Sequence, residues 1–232
     1  MSTIVIRATQ LEKFRTCKYR YKFEEPMDPR DDRFVFGSNV HKYCEEQLSG
    51  NLNDEIQTLL LQRRPVKQRQ MILNMSDVIA NHMEEEQLSL VTTELSMQAY
   101  DDESDVIIEW TMDLLIEDTN WDYIIVDIKT AASNRTDEHA QWVKQKIIYP
   151  ALFKQMYNID IKAFEYRVVT KTSNPKLSVF RYEVEEDIIE QVLNVSKELR
   201  NSTESQQWEP TPHNHSCFYC KLKDQCRDYK VL

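Results

Sequence analysis

The chain has 232 residues, 41% of them hydrophobic, and a formal net charge of -10 at neutral pH. That length supports one substantial core, or a core with a small appended lobe, and the acidic balance excludes indiscriminate polyanion binding, because long-range repulsion slows such partners. No window approaches the roughly 18–20 apolar residues that cross a bilayer, and "MSTIVIRATQ" lacks a signal-peptide core, so a soluble protein of the reducing cytoplasm is expected, with no membrane partner.

In chain order, Thr9 and Glu12 in "ATQLEKF" form a capping box, which predicts a short helix carrying Phe14 towards Cys17. After "EEPMDPRDDR", residues Val40, Tyr43, Cys44, Gln47 and Leu48 recur at helical spacing, with His41 in the first turns. Residues 53–88 read as further helix, broken near Pro65 and carrying the basic run "RRPVKQR". Near Leu88 the period changes. "LSLVTTELSMQAY", "SDVIIEWTMDLLIED" and "DYIIVDIKT" alternate or run apolar and are rich in Val, Ile and Thr, which predicts three successive strands. A helix capped by Thr136 covers "TDEHAQWVKQKIIYPALFKQMYN", strands "KAFEYRVVT" and "KLSVFRYEV" follow, and an amphipathic helix over about 185–202 leads into a cysteine-rich tail. This order predicts an α/β fold in one domain, a mixed central β-sheet flanked by helices. A helical lobe would occupy about 1–88, the core 89–184, and the last helix and tail 185–232.

The stretch "IIVDIKTA" places Asp127 and Lys129 on one face of a strand, with Val126 and Ile128 on the other. On the preceding strand, strict alternation puts Asp113 with Thr111 and Leu115, opposite Ile108, Trp110 and Met112. Antiparallel pairing of the two strands would bring Asp113 and Asp127 within a few ångströms. Two such carboxylates repel unless one is protonated or a cation lies between them, and hard oxygen ligands suit Mg²⁺ or Mn²⁺. Lys129 would then hold a water or stabilise charge growing on a phosphate. Gln145 and Tyr149, four apart and on one helix face with Gln141, would order the substrate or the lysine. His41 offers a nitrogen ligand. Taken singly, D-x-K at a strand end is most often an exposed ion pair, and a lone helical histidine is usually structural.

Of five cysteines, Cys217, Cys220 and Cys226 follow C-x2-C-x5-C. In a reducing compartment that crowding reads as metal ligation and needs a fourth soft ligand. Zinc and iron-sulfur both suit four thiolates, and His213 or His215 would serve zinc. Cys44 reads as a small buried apolar residue. A local basic patch is offered by "RTCKYRYK": Arg15, Lys18, Arg20 and Lys22, interleaved with Tyr19 and Tyr21, lie near the cysteine-flanking Lys221, Lys223 and Arg227 if the cage forms. Phosphate contacts beside rings that stack on unpaired bases favour a single strand. The competing reading packs the tyrosines inside and leaves the cations solvated. The run Arg63, Arg64, Lys67 and Arg69 reads either as an arch over a groove or as a wet helix face.

The ordered set "GSNVH", "EWTMD", "VDIKT" and "QKIIY" resembles the PD-(D/E)xK nuclease superfamily, in its RecB-type branch of CRISPR adaptation nucleases and phage or AddB-like exonucleases. "ATQLEKFRTCKYRYKF" and "CFYCKLKDQC" resemble that branch's iron-sulfur members, so the likeness spans residues 7 to 226. The resemblance implies a restriction-endonuclease-like core. It also implies that His41, Asp113 and Asp127 ligate the catalytic metal with the Ile128 carbonyl, that Lys129 positions the attacking water, and that Gln145 and Tyr149 form the Q-x3-Y motif. Glu94, on the strand before, is a weaker candidate acting through water. Cys17 becomes the fourth cluster ligand, giving a 4Fe-4S site that docks the tail on the N-terminus. Two departures stand out: Trp110 occupies a position where the family often has glycine, and Pro150 follows Tyr149 inside a helix, where proline removes a hydrogen bond. The implied activity is metal-assisted hydrolysis of DNA phosphodiesters by an exonuclease acting on single strands or ends. Recombination, repair, phage replication or CRISPR spacer acquisition, with a protein partner from such a complex, would be its setting. The alternative is a non-catalytic DNA-binding or partner-binding module that retains the fold.

Overall fold

Strand structure begins earlier than the hydrophobic pattern predicts. In the computed structural model, which describes residues 2–25, 32–62, 64–133, 145–211, 217 and 220–226, Ile4–Arg7 is a short strand, β1, pairing in parallel with residues about a hundred positions later. Four residues with so distant a partner leave no local period to read. The helix that follows, α1 (Ala8–Thr16), therefore starts at Ala8, and its entry is held by the Gln10 side chain accepting the Arg7 N–H at 3.0 Å, not by a Thr9–Glu12 box. Cys17 is extended and separates α1 from α2 (Lys18–Phe23); its Sγ accepts the Arg20 N–H at 3.5 Å.

Three helices build the N-terminal lobe: α3 (Asp32–Leu48), α4 (Asp54–Leu61) and α5 (Val66–Glu85). Asn53 caps α4 by accepting the Ile56 N–H at 3.0 Å. Pro65 precedes α5, where its missing N–H costs nothing. Ile72, Met75, Ile79 and Met83 recur at three- and four-residue steps and form the buried stripe of α5.

The sheet has six strands. β2 (Ser89–Asp101) runs antiparallel along the whole of β3 (Val106–Glu117). The other edge of β3 is shared: β1 covers Val106–Glu109, and β4 (Tyr123–Ala131) pairs antiparallel with Leu114–Glu117. β5 (Ala163–Thr170) lies parallel to β4, and β6 (Leu177–Glu183) closes the far edge. The β4–β5 crossover contains α6 (Gln145–Tyr157), as parallel strands require a crossover connection. The part of that helix predicted before Gln145, with its cap at Thr136 and with Gln141, lies outside the described residues, as do Arg63, His213, His215 and Arg227. Pro150 sits inside α6 without ending it. The last helix, α7, spans Ile188–Ser205, three residues later than the predicted 185–202. Among the described residues no helix is long and apolar enough to cross a membrane.

Two hydrophobic cores sandwich the sheet. One gathers Leu11 and Phe14 of α1, Ile148 and Leu152 of α6 and Val192 and Leu199 of α7; the other gathers Val40, Tyr43 and Cys44 of α3 with the α5 stripe. The mixed α/β sheet flanked by helices is thus the architecture the sequence predicts. Strict alternation along β3 fails at one place. Ile108, Trp110 and Met112 pack in the first core and Leu114 and Ile116 in the second, while Leu115 joins Met112's side. The even-numbered side chains change faces at Asp113. On the neighbouring strand the register slips between Leu90 and Thr92, and Glu94, opposite Asp113, has φ 45°. Irregularities of this kind bend a strand and re-aim a side chain.

Candidate active site

Asp113 stands where that irregularity turns it. The pairing of Leu114 with Val126 puts Asp127 across from it in register, and Asp113 Oδ2 accepts the Ile128 N–H at 2.6 Å. Asp113 Oδ1 lies 3.3 Å from His41 Nδ1 on α3. A Cβ added at Gly37, one turn earlier in α3, would sit 3.5 Å from Thr130 Oγ1, so the helix passes close to the end of β4. Glu94 comes from β2. The ligand atoms of His41, Glu94 and Asp113 all lie within 4.8 Å of one another, the one such grouping of three or more His, Cys, Asp or Glu among the described residues. A residue implied only as a weaker candidate acting through water thereby joins the histidine and the first aspartate.

Asp127 faces a different partner. It is 2% exposed, and its Oδ1 accepts from Lys129 Nζ at 2.8 Å. Oδ2 lies 2.7 Å from the same nitrogen but accepts no hydrogen bond, because proximity there is not matched by direction. Burial, with Asp113 beside it, pushes the Asp127 carboxyl up to about 6 despite Lys129. For Asp113, burial acts upwards too, but His41, Lys129 and the Ile128 N–H outweigh it and hold the carboxyl below its usual range. Burial would lower His41; Asp113 more than offsets that and raises it. Lys129 is raised because Asp127 and Asp113 overcome desolvation. Glu94 is raised by desolvation and then by the Asp113 charge. Its left-handed backbone costs about 1–2 kcal/mol in a non-glycine residue. A strand that keeps such a conformation is over-determined by its surroundings.

The motif helix completes the wall. Gln145 and Tyr149 are both buried, and the Gln145 Nε2 donates to the Tyr149 hydroxyl at 3.0 Å. Burial first, then the nearby Asp127, raises the Tyr149 phenol, so it stays a neutral donor facing the acids. Proline at position 150 leaves this pair intact, since the four-residue step lies within the turn before it. Donors, acids and an imidazole converge here. The set fits a divalent cation: hard oxygens of two acids, one imidazole nitrogen, and in Asp127 a buried carboxylate whose Oδ2 has the Lys129 ammonium near it but no directed hydrogen bond.

A pH effect follows for the metal-free protein. An unfolded Asp carboxyl titrates near 4, and Asp127 in the fold near 6. Between those values the folded state holds the proton more tightly, so stability is highest below pH 4 for this group and falls as pH rises through 6, by about 3 kcal/mol. Asp113, shifted the other way, acts only below about pH 4. Chemical denaturation in EDTA between pH 4 and 7 should show the decline in the wild type and a shallower one in Asp127→Asn, where the raised Glu94 and His41 still act in the same direction.

The basic segment is placed less freely than its composition implies. Arg20 pairs with Glu24 at 3.1 Å, Lys18 with Glu198 at 3.4 Å, and Arg15 donates to Gln191 at 3.3 Å. Tyr19 packs on Phe23 at 4.6 Å between ring centres, and Tyr21 on Phe14 and Trp208 at 5.5 and 5.9 Å. Lys22 lies 5.0 Å over the Trp208 ring. Trp208, just beyond α7, thus seats the start of the C-terminal tail against the two helices that flank Cys17. In that tail the Cys220 N–H bonds to the Cys217 carbonyl and the Cys226 N–H to that of Leu222. Cys44 is buried, as its apolar reading predicts, and burial pushes its thiol up to about 12.

Fold, acids and lysine together define a class. The chain belongs to the PD-(D/E)XK nuclease superfamily, whose family model matches residues 6–227. A crystal structure from Eubacterium rectale described as a "Putative exonuclease" is similar at 13% identity and TM-score 0.50, covering 97% of this chain and 88% of that one. A second structure, of SSO0001, is similar at 15% identity and TM-score 0.42, covering 95% of each chain. The first supports the fold. No curated protein matches the sequence.

Proposed function

We propose that the protein is a divalent-metal-dependent DNA exonuclease of the RecB-type branch, hydrolysing phosphodiester bonds in single strands or at duplex ends. The observation that carries this reading is the buried Asp127, held by Lys129 across from Asp113 at the place where the side chains of β3 change faces. An acid so deep, raised by its surroundings, is what a cation would relieve. Mg²⁺ or Mn²⁺ would be held by His41, Asp113 and Asp127 with the Ile128 carbonyl, and Glu94 lies close enough to His41 and Asp113 to share it. When bound, such an ion polarises a phosphoryl oxygen and lowers the pKa of a water.

The chain's own groups do the rest. Lys129, kept cationic, holds the attacking water by a hydrogen bond and faces the charge growing on the phosphate. The Tyr149 hydroxyl, fixed by Gln145, orients that lysine or a phosphate oxygen. His41 is positioned by Asp113. The C-terminal cysteines Cys217, Cys220 and Cys226, with Cys17, form a structural 4Fe-4S site, zinc being the alternative metal. The spacing and the seating of Trp208 beside Cys17's helices support the docking. Recombination, repair, phage replication or spacer acquisition in the cytoplasm, within a protein complex, is the setting this activity suits.

Purified protein incubated with labelled single-stranded DNA should release short products with Mn²⁺ and none with EDTA. Iron and acid-labile sulfide should each approach four per chain. DNA left intact with every divalent ion tried would refute the enzyme reading, and zinc without sulfide would refute the cluster alone.

A further inference from the structure

Between the end of β1 and the start of β4 pairing, one edge of β3 lacks a strand partner among the described residues, over Trp110–Asp113. A cavity of about 820 Å³ lies against this stretch, within the range of about 300–1,000 Å³ usual for small-molecule sites. Its walls include Arg7, Gln98, Glu109, Trp110, Tyr149 and Met156. Tyr149 therefore borders both this cavity and the acids. Trp110, in the position where glycine is common in the family, contributes ring surface, and its buried Nε1–H has no hydrogen-bond partner.

Charge marks the outer end. Arg7 is exposed, and among the described residues its guanidinium has no ion-pair partner. Its register partner is Glu109, four residues from Asp113, or roughly 13 Å at a strand rise of 3.3 Å per residue. Such a span is crossed by about two to four nucleotides, since the step per nucleotide is about 3.4 Å in a duplex and longer in an extended strand. Glu109 is occupied by the Gln98 amide at 2.7 Å.

Resting on the nuclease reading, we infer that this cavity is a track for the single strand that continues from the scissile phosphate. An unstacked base enters the space beside Trp110 and Tyr149, and Arg7 contacts a phosphate about two to four nucleotides from the cut. The exposed Met156 thioether and the narrow strips of Trp110 and Tyr149 that reach the cavity give apolar contact to any base, so the track is tolerant of sequence. A paired base would first have to leave its stack, which makes the track selective for unpaired strands. Arg7 and Trp110 are thus specificity-determining residues outside the metal site.

The test compares Arg7→Gln with its parent in two assays. Binding of a fluorescent oligothymidylate is measured in a Lys129→Ala background, so that no strand is cut. Loss of one phosphate contact should reduce the slope of log affinity against log salt by about 0.7 and weaken binding. Arg7→Lys should restore the slope, because the charge returns. In the otherwise wild-type enzyme, Arg7→Gln should lower kcat/KM on the oligonucleotide about tenfold and leave bis(p-nitrophenyl) phosphate, which has no flanking nucleotides, unaffected. Trp110→Phe should weaken binding of the oligonucleotide while leaving the small diester unchanged. An unaltered salt slope together with unaltered oligonucleotide turnover overturns the track while the nuclease stands. Equal losses on both substrates also overturn it, by showing a general defect. Wild-type protein that cleaves neither substrate overturns the nuclease reading itself.

Discussion

Lys129→Ala is expected to lower DNA hydrolysis about 10²- to 10⁴-fold, the usual effect of removing a group that handles the nucleophile or the developing charge, while Mn²⁺ still binds. The two readouts separate because the lysine and the cation are neighbours of the same acid. Asp127 is 2% exposed and, among the described residues, takes its one hydrogen bond from Lys129 Nζ. Without the lysine that acid is uncompensated, and breaking a buried pair costs about 3–5 kcal/mol. The metal-free variant should accordingly unfold at lower denaturant than the wild type. Bound Mn²⁺ supplies the missing charge, so the variant should gain more stability from the ion than the wild type does. A purely structural ion pair would lose stability with no rescue by metal. Denaturation midpoints with Mn²⁺ and with EDTA, beside turnover, distinguish the two.

The largest effect away from the site is expected at Arg167. On β5 its side chain is 0% exposed. Its Nε and Nη2 donate to Glu165 Oε2 at 2.9 and 2.7 Å, and Nη1 reaches the Met83 sulfur of α5 at 3.0 Å. Arg167→Leu removes those partners and leaves Glu165 buried, with the more exposed Arg181 at 3.6 Å as its remaining cation. A loss of about 3–5 kcal/mol is expected by urea denaturation. Arg167→Leu with Glu165→Leu should recover most of it, since replacing both charges with apolar groups removes the desolvation problem. If the double variant is no more stable than the single one, packing and not charge governs this position.

Local chemistry decides how much of the fold is legible in the sequence. The change from helical spacing to alternation near Leu88 marks the sheet because each strand from β2 onward is long enough to show its period. β1 shows none: its four residues gain their place from β3, far along the chain. Pro65 and Asn53 announce helix boundaries because their effect is confined to one turn. The Thr9–Glu12 box is the instructive failure, for that pattern describes a helix start and the preceding strand moved the start to Ala8.

At the site, Asp127 and Lys129 were legible from alternation alone, and their bond has the geometry that two residues on one face allow. Antiparallel register places Asp113 opposite Asp127, as the strand order predicts. Glu94 was the harder case. Its closeness to His41 and Asp113 depends on a left-handed residue within a strand, and no side-chain pattern encodes that. For the same reason alternation misassigned Leu115, which packs with Met112 beyond the bend. Trp110 was visible as one of the apolar face of β3 and as a departure from the family's pattern; its place beside a cavity was not. In the basic segment, composition showed the charges but not the acids that answer them, because Glu24 and Glu198 lie outside that segment.

As proposed, Asp113, Asp127 and Lys129 form a metal-dependent phosphodiesterase centre. End-labelled single-stranded DNA, digested under Mn²⁺ by the wild type, Asp113→Asn and Lys129→Ala side by side, tests it most directly. Progressive shortening by the wild type, abolished by EDTA, and losses of about 10² or more in both variants are expected. Digestion by either variant at the wild-type rate would contradict it.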